Sequence, residues 1–210
     1  MDGSHHHWFE DRGPECVLMG YIDDATSRVY ARFYDYEGTI PAMDSFKRYI
    51  KKYGIPHSLY LDKHTTYKST GKQTVEQELQ GIKPMSEFER AVKELCTELM
   101  HANSPQAKGR IERSFKTFQD RVVKEMRLLG IKTIAQANDF LEEYLPEYNR
   151  RFSKEPAQTG DMHRPKGRVN LDSILCFKKE RVLRNDYTVA HDGRLYQVLQ
   201  RTTARRVIVE

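Results

Sequence analysis

Residues 104–129 carry the pattern that most limits how this chain can fold. Ser104 followed by Pro105 is a helix start: an N-cap hydroxyl, then a proline where the missing N–H costs nothing. Ile111, Phe115, Phe118, Val122, Met126 and Leu129 then recur every three or four positions. This spacing predicts one long amphipathic helix with a single buried face, and such a face needs an apolar layer to rest on.

The upstream sequence offers that layer. Residues 16–22 and 28–34 read as two strands joined by the turn Asp23-Asp24-Ala25-Thr26-Ser27, a hairpin. Met43, Phe46, Tyr49, Ile50 and Tyr53 repeat at helical spacing, with Gly54 as the stop. After the turn Gly54-Ile55-Pro56, residues 57–61 read as a short strand with Asp62 at its C-terminal end. Residues 88–96 suit a helix, 98–102 a strand, and 133–152 a last helix that Pro146 kinks or divides. The stripe Ile134, Ala137, Phe140, Leu141, Tyr144 and Leu145 on that helix is packing surface.

Pro156, Gly160, Pro165 and Gly167 mark residues 154–168 as a linker. Beyond it the pattern changes to short strands at 174–177, 187–190, 195–199 and 206–209, with His191-Asp192-Gly193-Arg194 as a hairpin turn. The expected organisation is a core over 1–153, the linker, and a small basic β domain over 169–210. That last segment is short for independent stability, so it either docks on the core or is cut short at Glu210.

Charge is unevenly spread. Residues 164–210 hold eleven Lys and Arg against five Asp and Glu, a balance of +6, so with a net charge of +5 the remainder carries 5 − 6 = −1. A basic tail suits phosphate backbones through counterion release, although many such segments are only solvated surface. No apolar stretch is long enough to span a membrane and no secretory signal opens the chain, which points to a cytoplasmic protein. Cys16, Cys96 and Cys176 are few and far apart, and read as reduced packing residues.

Three acids stand in surroundings that suit metal-dependent phosphoryl transfer: Asp2 in MDGSHHHWFE, Asp62 at its strand end, and Glu112 at the edge of the helical stripe. Moving a phosphodiester calls for stabilising both the attacking and the leaving oxygen, which two divalent ions about 4 Å apart can do when carboxylates hold them. Oxygen ligands without cysteine pairs favour Mg²⁺, with Mn²⁺ as a substitute, over zinc. Strand ends are where open α/β sheets place their sites, but Asp62 can equally begin a polar loop. From periodicity alone, an ordinary charged helix side is the plainer reading of Glu112. Lys108, Arg110, Arg113 and Lys116 surround it and are candidate phosphate contacts. Asp23 and Asp24 compete with Asp2 for the first acid, but have turn chemistry. His5, His6 and His7 cannot all face one ion from a strand, so they are not zinc ligands.

The blocks DGSHHHWFEDRGP, IDDATSRV, LYLDKHTTY, HANSPQAKGRIERSFKTFQDR and EYNRRFSKEP, in this order, resemble the catalytic core of bacterial insertion-sequence transposases of the retroviral-integrase superfamily, closest to the ISNCY-type group. The resemblance covers residues 1–165, and its strongest element is the Pro-x-x-x-Gly-x-x-Glu-Arg spacing ending at Glu112 and Arg113. It implies an RNase H-like mixed sheet flanked by helices, followed by a small C-terminal β-barrel-like segment. It also implies a DDE set of Asp2, Asp62 and Glu112 holding two Mg²⁺ ions for hydrolysis and then strand transfer at transposon ends. The partners implied are end and target DNA and further copies of the chain, in a bacterial, nucleoid-associated setting. The spacing 112 − 62 = 50 exceeds that of retroviral integrases and puts extra residues at 63–87. Asp2 lies so near Met1 that the strand carrying it is expected to have lost its N-terminal part. Two other classes stay open: a nuclease of the same fold that does not join strands, and a noncatalytic DNA-binding or assembly module.

Overall fold

Three antiparallel strands, β1 (Asp2–His6), β2 (Cys16–Ile22) and β3 (Val29–Tyr34), lie in that order in the computed structural model, which describes residues 1–61, 85–101 and 105–210. The central strand β2 is buried on both faces, and this is why it reads as an unbroken apolar run and not as an alternation. Val17, Met19 and Tyr21 pack with helices α1 (Thr39–Tyr53) and α2 (Glu87–Glu94). Cys16 and Leu18 point the other way, into a second core cluster with α3 (Pro105–Leu128) and α4 (Ile134–Phe152). The architecture is mixed α/β, with helices on both sheet faces.

β4 (Ser58–Leu61) and β5 (Glu98–His101) form a parallel pair in which Leu59 faces Leu99. The Met1 ammonium donates to Tyr60 O at 2.9 Å, so the start of β1 sits beside β4. Positions 63–84 of the expected extra stretch lie outside the described residues, as does Asp62.

β3 is the outer strand of its sheet, and α4 closes it. Asn149 accepts from Val29 N–H and donates to Val29 C=O, both at 2.8 Å, while Asn138 does the same for Phe33 at 2.8 and 3.1 Å. Each carboxamide thus takes the place of a peptide group of a neighbouring strand, and satisfies edge groups that would otherwise recruit another chain. Thr133 and Gln136 cap α4 reciprocally, and the helix runs unbroken through Pro146 to Phe152. The expected division there does not occur.

The stretch 154–168, read above as a linker, is laced to the core. Lys154 N–H donates to Thr26 O at 2.7 Å, Ile55 and Arg164 exchange two backbone bonds of 2.8 Å, and the Arg164 guanidinium donates to Leu95 O at 2.6 Å. Residues 174–177, expected as a strand, form none: a short helix capped by Asn170, α5 (Leu171–Ile174), ends at Ile174, and its Leu171 and the following Leu175 enter the α1/α2 core cluster. Burying one such leucine is worth about 1.5–3 kcal/mol, which outweighs the local β preference. β6 (Lys179–Val182) pairs with β9 (Arg206–Val209), and β7 (Thr188–His191) with β8 (Arg194–Gln197). The Asp192-Gly193 turn has φ of 47° and 75°, the positive pair that a two-residue type I′ hairpin requires. β6 escaped the sequence reading because Lys-Glu-Arg-Val offers no apolar alternation. Among the described residues, no helix is long and apolar enough to cross a membrane.

Candidate nucleic-acid cleft

Directly opposed residues of antiparallel strands share a face, so the pairs Asp2 with Gly20 and Ser4 with Leu18 place Asp2 and Ser4 on the α3/α4 side of the sheet. α3 crosses that side in a defined sense. Gln119 donates to Ser4 Oγ at 3.2 Å, while Ile111 and Phe115 pack on Gly20. Moving back along α3 therefore moves from Ser4 toward Asp2. Glu112 lies seven residues before Gln119, almost two full turns, so it stands on the same helical stripe as Gln119. Its side chain is exposed, and that of Asp2 is half-buried with one carboxylate oxygen accepting from Gly3 N–H at 3.0 Å.

A cleft of about 520 Å³ opens at this end of the sheet, lined among others by Asp2, Asp24, Tyr60, Arg110 and His163. Met1 and Leu61, the last residue of β4, both line it, and Asp62 follows Leu61 in the chain. Of the three expected acids the structure thus brings Asp2 and the Glu112 stripe to one end of the sheet. Among the described residues, no three His, Cys, Asp or Glu side chains are grouped to hold a metal ion. Asp2 lines the cleft and Glu112 is not among its lining residues; carboxylate oxygens are donors that suit a hard divalent cation.

Asp23 and Asp24 also reach this cleft, but both are engaged. Asp23 closes its own turn, accepting from the N–H groups of Ala25 and Thr26 at 3.3 and 3.2 Å and from the Thr26 hydroxyl. Asp24 pairs with Arg110 at 2.6 Å, which holds that guanidinium at the cleft mouth. Arg113 leans back over Gly109, where an added Cβ would stand 3.5 Å from Nη1, an ordinary contact, and Lys116 is exposed. The side chain of Lys108 lies outside the described residues.

His163 and Met162 are cleft residues that the sequence reading passed over. Tyr49 OH and His163 Nε2 lie 2.8 Å apart, and His163 Nδ1 is 2.6 Å from Asp161. Burial pushes the Tyr49 phenol well above its ordinary pKa, with the nearby Asp23 charge adding to it, so it stays protonated. The backbone and ring N–H bonds from His163 hold Asp161 below the ordinary carboxylate value. The only local signal was Asp161 two residues before His163, an Asx-turn spacing that says nothing about a cleft.

Comparison with solved structures identifies the class of fold. A chain of a simian T-cell lymphotropic virus intasome in complex with PP2A regulatory subunit B56 gamma matches with a TM-score of 0.57 and 15% identity, covering 98% of this chain and 64% of that one. That likeness shows the fold. In sequence, the chain is 36% identical over 211 residues to the putative transposase y4bF of Sinorhizobium fredii, covering 99% of this chain and 45% of that protein. It is 30% identical over 201 residues to the transposase for insertion sequence IS1202 of Streptococcus pneumoniae, covering 93% of this chain and 41% of that protein. The chain thus spans less than half the length of these relatives. No family model matches it.

Proposed function

We propose that this chain is the RNase H-like catalytic core of a DDE transposase of the integrase type, acting on transposon-end and target DNA. The observation that carries this reading is the docking of α3 on β1, where Gln119 bonds Ser4 and the Glu112 stripe runs to the Asp2 end of the strand. The names of the two transposase relatives and the intasome-like fold support it.

In this reading Asp2, Asp62 and Glu112 hold two Mg²⁺ ions, or Mn²⁺. When bound, such ions supply charge stabilisation to the entering and leaving oxygens of an in-line displacement. The chain's own residues orient the DNA: Lys108, Arg110, Arg113 and Lys116 contact phosphates, and the cleft fixes the scissile bond so that water, then a freed 3′-hydroxyl, can attack in line. No protein nucleophile takes part. The basic residues 169–210 act as a barrel-like DNA-binding segment that raises affinity in a salt-dependent way. Two DNA ends must be joined, so the working form is a homo-oligomer on DNA, in the cytoplasm at the nucleoid.

The test is cleavage and strand transfer on a labelled duplex with Mg²⁺ or Mn²⁺, comparing the chain with Glu112→Gln. Both activities are expected to fall by more than roughly 100-fold, beyond what loss of an outer ligand partner costs, while DNA binding persists. Equal activity in both proteins overturns the assignment of Glu112. Cleavage without joined products points to a nuclease of this fold, and chelator-insensitive binding with no cleavage points to an assembly module.

A further inference from the structure

A second cavity, a groove of about 850 Å³, adjoins the cleft and shares Ile22, Asp24, Arg110 and Met162 with it. One wall is α3, with Arg113 and Thr117, and the other is the 154–162 strap, with Lys154 and Pro156. Phe152, 40% exposed, lies in its lining. Arg113 and Lys154 form no ion pair among the described residues, whereas Arg110 is matched by Asp24. Glu155 also lines the groove and limits its positive charge.

Cationic side chains interleaved with an exposed aromatic ring suit a single nucleic-acid strand, which needs phosphate contacts and a surface for unpaired bases. The size agrees. A cavity in this range encloses a drug-sized group, and a duplex, whose major groove alone is about 12 Å wide, does not fit.

Met162 stands where the two cavities meet, and it is 67% exposed. Its backbone is fixed on the C-terminal side by the His163 clamp, with Asp161 and Tyr49 at 2.6 and 2.8 Å, and by the Ile55–Arg164 pair. A large apolar side chain held out in solvent by ordered neighbours forgoes hydrophobic burial. Apolar side chains of this kind, methionine among them, act as wedges between base steps.

We propose that Met162 is a strand-dividing wedge: one strand of a DNA end enters the Asp2 cleft, its complement enters the groove between α3 and the strap, and Met162 packs against the base pair between them. This rests on the DNA-processing reading above, and deepens it by assigning a positioning residue outside the carboxylate set.

The experiment uses a short blunt duplex with 2-aminopurine near its end, read by fluorescence for unstacking and by anisotropy for binding, with wild type and Met162→Ser. Wild type is expected to raise the fluorescence on binding. The variant is expected to lose that rise even at concentrations that saturate its binding, and a duplex with mismatched terminal pairs is expected to restore wild-type cleavage to it. An equal rise in both proteins, or binding by wild type with no rise, overturns the wedge and leaves the transposase reading standing. Failure of both proteins to bind any duplex overturns the two together.

Discussion

A Cβ built on Gly20 would lie 2.6 Å from Cε1 of Phe115, inside any real contact distance. Glycine is therefore what lets α3 lie down on β2 at the position paired with Asp2. Phe115 is buried, so its ring has little room to yield. Gly20→Ala is expected to cost about 1–3 kcal/mol as overpacking. It is also expected to reduce cleavage more than a surface variant of equal stability, because the shift falls between Asp2 and the Glu112 stripe. A urea midpoint set beside the cleavage rate checks this, and an unchanged rate would show that α3 need not sit so close.

The two carboxamides on α4 make a separate prediction. Asn138 is buried, and with Asn149 it serves both the donor and the acceptor of an edge residue. Asn138→Ala is expected to destabilise by about 1–3 kcal/mol, the cost of leaving buried polar groups unmatched. The Asn138→Ala, Asn149→Ala pair is expected to aggregate through the uncovered β3 edge, read by light scattering at matched concentration.

Asp44 accepts from Tyr34 OH at 2.7 Å and Arg48 Nε at 2.8 Å. Burial alone would raise its pKa, but the bonds from Arg48 and Tyr34 outweigh burial and hold it below the ordinary 3.8. A carboxylate depressed in the folded state adds stability above its unfolded pKa, and this stability is lost as pH falls through the folded value. Asp44→Asn is thus expected to be less stable than wild type at neutral pH, with the gap closing below about pH 4. Denaturant midpoints across that range decide it, and a gap independent of pH would remove Asp44 from the acid response.

Cysteine reactivity tests the packing of β2. Burial pushes the Cys16 thiol up to about 12, with the Asp35 charge adding to it, whereas Cys96 is exposed. Iodoacetamide near neutral pH is expected to label Cys96 and spare Cys16 by a factor of roughly 100 or more until denaturant is added, as read by peptide mass spectrometry. Early modification of Cys16 would show that β2 opens locally.

Most elements were legible because their signals are local. The 3.6-residue stripe from Ile111 to Met126 specified α3, Gly54 stopped α1 with a φ of 97°, and Asp192-Gly193 turned β7 into β8. The errors came where tertiary burial overrode local preference. Leu171 and Leu175 made residues 171–174 a docked helix, and Arg164, His163 and Lys154 tied down a stretch whose prolines and glycines read as a linker.

The candidate site divides in the same way. The chain by itself determined which acids are available and that Glu112 rides at the edge of a helical stripe, since periodicity assigns a residue to a face of its own element. It could not say which faces meet. That Gln119 reaches Ser4, that Gly20 admits Phe115, and that Met162 stands between two cavities depend on contacts between residues far apart in the chain. Such contacts are decided by how complementary surfaces pack, and no short window of sequence contains both surfaces.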